Sequence, residues 1–123
     1  MTEQAEQKTP RPTDIINRFY DEMFAGNYQY ALLAADPRYH SHTESCEVDP
    51  ISLMDSCRRM IEPLTNRRRE VLFEFNDGNV GIVVHRCTGT QPDGSVFRIR
   101  SADVYSLCEG RLLEHWGILQ PEQ

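Results

Sequence analysis

A chain of 123 residues, 39% hydrophobic and 26% charged, is long enough for one globular domain, too short for two, and too apolar for general disorder. A net charge of −6 argues against nucleic-acid binding, which normally needs a basic face. No apolar run approaches the roughly 20 residues that cross a bilayer, so no membrane association is expected.

Residues 1–12 are polar, lack the apolar segment of a signal peptide, and read as a flexible tail ending at Pro10 and Pro12. A single domain is expected over 13–121. Thr13 is placed as an N-cap, with Asp14 in the first turn. Ile15, Ile16, Phe19, Tyr20, Met23 and Phe24 then recur on one helical face, and Gly26-Asn27 ends the helix. Residues 28–35 suit a second short helix closed by Asp36-Pro37, and 38–43 a short extended segment. Asp49-Pro50 opens a third helix, with Asp as N-cap and Pro in the first turn. Its buried stripe is Leu53, Met54, Cys57, Met60, Ile61 and Leu64. Four strands follow, over 71–75, 80–88, 96–107 and 111–119, punctuated by Asp77-Gly78, Asp93-Gly94 and Glu109-Gly110.

Helices ahead of a four-stranded meander imply an α+β fold with the helices on one face of the sheet. The strand over 80–88 is apolar on both parities: Val80, Ile82 and Val84 on one, Val83, His85 and Cys87 on the other. A sheet wet on one side should alternate more cleanly. A second subunit on the outer face is the simplest cover, so a homodimer is expected.

Four cysteines, Cys46, Cys57, Cys87 and Cys108, show neither metal-ligand nor disulfide-framework spacing. They read as buried free thiols in a reducing cytoplasm. Arg67-Arg68-Arg69, with Arg58 and Arg59 before it, reads as a solvated cap near a helix C-terminus. The histidines are His40, His42, His85 and His115. His40 and His42 are two apart and share a side of an extended backbone. With His85 or His115 they could supply three metal ligands, but no local ligand motif supports a metal, and none is assigned.

Asp103 shares a strand parity with Phe97, Ile99, Ser101, Tyr105 and Leu107. If that parity faces the helices, the carboxylate lies in an apolar cavity, where desolvation is expected to raise its pKa and fit it for base catalysis near neutrality. Arg98 and Arg100 take the opposite parity. Glu114 and His115 are adjacent, so they point to opposite faces.

Tyr39-x-x-His42, the Asp49-Pro-Ile-Ser-Leu helix start, the His85 strand, Ala102-Asp103-Val104-Tyr105 and Gly110-Arg-Leu-Leu-Glu114-His115-Trp116 together resemble the SnoaL-like polyketide cyclases. These belong to the nuclear-transport-factor-2-like superfamily of ketosteroid isomerases, limonene-epoxide hydrolases and scytalone dehydratases. The resemblance spans roughly 13–121. It implies a cone-shaped α+β barrel, a curved antiparallel sheet wrapped around N-terminal helices, with a deep apolar cavity. It further implies no cofactor, an apolar small-molecule substrate, and a dimer through the outer sheet face. By similarity Asp103 is the general base, and His42, His85 and His115 polarise the carbonyl or relay protons. Tyr39, Trp116, Tyr20, Phe24 and Tyr105 are the expected substrate contacts.

Two positions depart from the family pattern. Gly117 stands where an Asp commonly follows Glu-His-Trp, and His42-Thr43-Glu44 replaces His-Asn-Pro. Losing that acid shifts the expected chemistry from aldol cyclisation toward isomerisation, dehydration or epoxide opening. The competing expectation is a non-catalytic module of the same fold that holds a hydrophobic ligand or a partner.

Overall fold

A computed structural model of the chain describes residues 10–43 and 47–122. The tail expected over 1–12 lies outside the described residues as far as residue 9, as does Cys46. The elements in chain order are helices α1 (Pro12–Phe24) and α2 (Tyr30–Ala34), strand β1 (Ala35–Ser41), helix α3 (Pro50–Ile61), and strands β2 (Thr65–Asp77), β3 (Val80–Thr90), β4 (Val96–Cys108) and β5 (Arg111–Pro121). The five strands form one curved sheet in the order β1-β5-β4-β3-β2. Every neighbouring pair is antiparallel except β1 with β5, which is parallel.

Helix α1 begins two residues earlier than expected, with Arg11 as N-cap. Pro12 takes the first turn, where its missing N–H costs nothing, and the Asp14 carboxylate accepts from the Arg11 N–H at 2.9 Å. Thr13 is instead fully buried, its N–H donating to Asn76 Oδ1 and its hydroxyl accepting from Asn76 Nδ2, both at 2.9 Å. These bonds tie the helix start to β2. Helix α3 starts as the sequence indicates, with the Asp49 carboxylate accepting from the Ser52 N–H at 2.8 Å.

The core lies between the helices and the concave face of the sheet. Ile16, Phe19, Tyr20 and Met23 of α1 meet Val83, Tyr105, Leu107 and Leu112 of the strands, with Leu53, Cys57 and Ile61 of α3 closing the side. Gly81 permits the close approach of α1: a Cβ there would sit 2.8 Å from Ile16 Cδ1 and 2.9 Å from Pro12 Cβ. Pairing between β4 and β5 shifts between Ser106 and Leu107, so Ser106 opposes Glu114 while Leu107 opposes Leu112. This bulge lets Leu112 and His115, three apart, both point inward.

Two strand assignments change. Strand β1 begins at Ala35 rather than 38 and includes Pro37, which an edge strand accommodates because one side of its backbone needs no partner. Strand β2 begins at Thr65, so Arg67, Arg68 and Arg69 belong to the sheet, while Arg58 and Arg59 take the last turn of α3 as expected.

Candidate active site

The cavity measures about 490 Å³ and is mainly apolar, within the range of small-molecule sites. Tyr20 comes from α1, Leu53, Cys57 and Met60 from α3, and the inward residues of β3, β4 and β5 complete its wall. Three of those strands carry the polar centre. Asp103 faces Val83 on one side and Gly117 on the other. Its carboxylate therefore reaches diagonally to His85 and to His115, whose own direct partners are Ser101 and Tyr105.

The contacts are short. Asp103 Oδ2 accepts from His85 Nε2 at 2.8 Å and from the Ser101 hydroxyl at 2.7 Å. Oδ1 accepts from His115 Nε2 at 2.7 Å. All four residues are buried. Beyond His85, an Arg69 Nη1 donor lies 3.0 Å from Nδ1. A guanidinium can only donate, so Nδ1 accepts and the ring proton resides on Nε2, directed at Asp103. Arg69 is itself held by the Asn17 side chain and carbonyl and by Asp21 at 2.9 Å, and its guanidinium lies over the Tyr20 ring. Beyond His115, Nδ1 lies 2.9 Å from the Ser41 hydroxyl. A continuous polar chain thus crosses the cavity from Asp21 to Ser41.

Desolvation was expected to raise the Asp103 pKa. Burial does push upward, but the hydrogen bonds from His115 and His85 outweigh it, holding the carboxyl well below its ordinary range. Asp103 is therefore firmly ionised, and a weaker base than burial alone would make it.

Gly117 closes this geometry. A Cβ there would lie 2.8 Å from His115 Cε1 and 2.9 Å from both His115 Nε2 and Asp103 Oδ1. The space a side chain at 117 would need is filled by the Asp103–His115 pair.

The other expected site residues divide into two groups. Tyr20 and Tyr105 line the cavity with their hydroxyls 2.7 Å apart, and burial pushes both phenols well above their ordinary pKa. Tyr105 also packs against the His115 ring at 4.5 Å. Tyr39 is buried behind the wall and donates to Glu47 Oε1 at 3.1 Å. Phe24 packs on the core rather than the cavity. His42 and Trp116 lie on the opposite face of the sheet from Asp103, their rings stacked at 4.7 Å, with His42 Nε2 3.1 Å from Glu114. The reason is parity: Trp116 is one residue from His115, and His42 follows the Glu114 side of β5. Arg98 and Arg100 also face outward, toward Glu122.

Sequence reasoning missed Arg69 and Glu47. Arg69 was hidden in a charge cluster that looks solvated, yet its side chain is only 6% exposed. Glu47, a second carboxylate on the cavity, lies in a stretch of sequence with no periodicity to place it. Cys57 and Cys87 are buried thiols whose pKa burial pushes upward, that of Cys87 to about 12, unsuited to thiolate catalysis.

No protein-family model matches the sequence, and no curated protein matches it. Solved structures do match. A candidate SnoaL-like polyketide cyclase from Jannaschia sp. CCS1 superposes with a TM-score of 0.76 at 16% identity, covering 92% of this chain and 90% of the other. A candidate polyketide cyclase from Acidithiobacillus ferrooxidans gives 0.75 at 19% identity over 90% and 89%. Wild-type IdmH, a candidate polyketide cyclase from Streptomyces antibioticus, gives 0.75 at 16% over 89% and 92%. At such identities the likeness is one of architecture, and it agrees with the α+β cone built above: the chain has the fold of the SnoaL-like polyketide cyclases.

Proposed function

We propose that the chain is a cofactor-independent enzyme of the cyclase, isomerase or dehydratase type, acting by acid–base catalysis on an apolar, carbonyl-bearing small molecule. The observation that carries this reading is Asp103, a buried carboxylate that opens on an apolar cavity between two imidazoles. Oδ1 accepts one hydrogen bond, which leaves a lone pair of that oxygen for a substrate proton. A carboxylate of lowered basicity takes a proton only from an acidic carbon, such as one flanked by two carbonyl groups. 1,3-Dicarbonyl compounds and their vinylogues meet that requirement and serve as probes. The paired phenols share one hydrogen bond between two hydroxyl hydrogens, so the second is available to a developing enolate oxygen. Glu47 supplies a second carboxylate to the same cavity.

The test is proton exchange in D2O at the central carbon of apolar cyclic 1,3-diketones, followed by NMR. Wild-type protein accelerates the exchange, and Asp103→Asn loses about 100-fold or more of that acceleration. Equal rates for the two proteins would remove Asp103 as the base. A second reading, non-catalytic capture of a hydrophobic ligand, is favoured by the low basicity of Asp103. It predicts saturable binding of the same diketones with exchange no faster than in buffer.

The same proposal includes a homodimer through the convex sheet face. Phe73 (57% exposed), Phe75 (52%) and Ile118 (76%) leave apolar surface there, in line with the two-sided character of β3. Sedimentation showing only monomer at micromolar concentration would remove it. Buried thiols suit a reducing compartment, which supports a cytoplasmic location. Among the described residues, no helix is long and apolar enough to cross a membrane.

A further inference from the structure

We propose that His40, His42 and Glu114 form a binding site for one divalent transition-metal ion, zinc in the first instance, on the convex face of the sheet. It lies outside the proposed active site and does not depend on that reading. His40 and His42 project from β1 and its continuation, and Glu114 from the neighbouring β5, paired with His40 in the strand register. Glu114 Oε2 lies 3.1 Å from His42 Nε2 and 3.8 Å from His40 Nε2, and one ligand atom from each residue falls within 4.8 Å of the others. Ligands about 2.0–2.1 Å from a tetrahedral zinc stand about 3.3 Å apart. The two carboxylate–imidazole spacings bracket that value and the imidazole pair stands within 4.8 Å, so closure on an ion needs the two rings to draw together by rotamer adjustment.

Each ligand is already oriented from behind. The His40 Nδ1 lies 3.3 Å from the Arg38 carbonyl; a carbonyl only accepts, so Nδ1 carries the proton and Nε2 presents a lone pair. Glu114 Oε1 accepts from the Ser106 hydroxyl at 3.1 Å, turning Oε2 toward the imidazoles. His42 is stacked on Trp116, the planes 14° apart. The His42 Nε2–H donates to Glu114, and ligation through Nε2 would shift that ring proton to Nδ1. Two imidazoles and a carboxylate suit zinc, nickel or copper rather than magnesium or calcium. Solvent would complete the coordination, since all three side chains are partly exposed.

The position gives the ion a structural consequence. Strand β1 pairs with β5 through an irregular register of only Ala35–Leu112, His40–Glu114 and Ser41–His115. An ion at this point would staple the edge strand to β5 one residue from Ser41, which contacts His115 in the cavity.

The experiment is calorimetric titration of tag-free protein with zinc chloride, alongside nickel titration read by fluorescence of Trp116, the only tryptophan. One zinc per chain is expected, with quenching by nickel at the same stoichiometry. Replacing His40→Ala, His42→Ala or Glu114→Gln weakens zinc binding by more than about 10-fold, and Ser106→Ala by about 10-fold. Zinc at about 100 times its Kd raises the melting temperature of the wild-type protein by about 10 °C. Asp103→Asn, which alters the other histidine–carboxylate cluster, leaves zinc stoichiometry unchanged. No binding by wild-type protein would overturn the proposal. Binding abolished by Asp103→Asn but retained in His42→Ala would overturn it equally, by moving the ion to the cavity.

Discussion

Two histidine–carboxylate clusters sit back to back on β5, and adjacent residues open each of them. His115 points into the cavity toward Asp103 and His85; Glu114 points outward toward His40 and His42. Residue types match, yet their properties diverge. Inside, the carboxylate accepts from three donors and both rings are fixed by outer partners, so the cluster is a closed, charge-retaining network. Outside, water competes for every contact, and one ligand atom from each residue lies within 4.8 Å of the others. Burial and donor count, rather than residue identity, separate a proton-handling site from a cation-binding one.

That contrast can be broken most severely from the inside. Asp103→Ala removes the acceptor for two imidazoles and a hydroxyl, all buried, and is expected to cost about 3–5 kcal/mol, read as a lowered urea midpoint. The acid limb of stability belongs to the same residue. Its folded pKa is depressed, so its stabilisation is fully present above the ordinary carboxylate value of about 3.9 and is lost as pH falls through the lower folded value. Wild-type stability measured from pH 5 downward should fall, and that fall should be shallower in Asp103→Asn. An identical slope in both proteins would place the acid sensitivity elsewhere.

A smaller perturbation sharpens the comparison from β5 itself. Gly117→Ala places a methyl against His115 and Asp103 and is expected to cost about 1–3 kcal/mol through overpacking. The His115 ring resonances should shift while those of His40 and His42 stay in place. The smallest effect is outside. Without metal, Glu114→Gln should leave the melting temperature within the scatter of replicate measurements, because exposed ion pairs contribute little. A large loss there would mean that the outer cluster is structural in its own right.

Much of this was legible in the sequence. The Asp49-Pro50 cap and the Gly-containing turns marked the third helix and the meander, and strand parity put Asp103 on one face with Ile99, Ser101, Tyr105 and Leu107, because each depends on local chemistry; that this face is the inner one follows from the assembled sheet. The basicity of Asp103 was not legible: its sign depends on diagonal partners from two neighbouring strands, which only register supplies. Arg69 was unreadable for a related reason. Its cluster looks like a wet rim, and its burial depends on Asn17, Asp21 and His85 arriving from a helix and another strand. Pro37 misplaced the start of β1 because proline usually marks a stop, and edge position cannot be seen before the sheet is assembled.

Gly117 also sets a rule for engineering this fold. An aspartate at that position and the Asp103–His115 contact would claim the same volume, so a chain can carry one wiring or the other. Placing an acid there is therefore not an additive change: it would first have to evict the histidine from Asp103 and find the imidazole a new rotamer. Proteins of this architecture that share Asp103 should then sort into two groups by the residue two places after the Glu-His-Trp histidine, with different proton donors facing the same cavity.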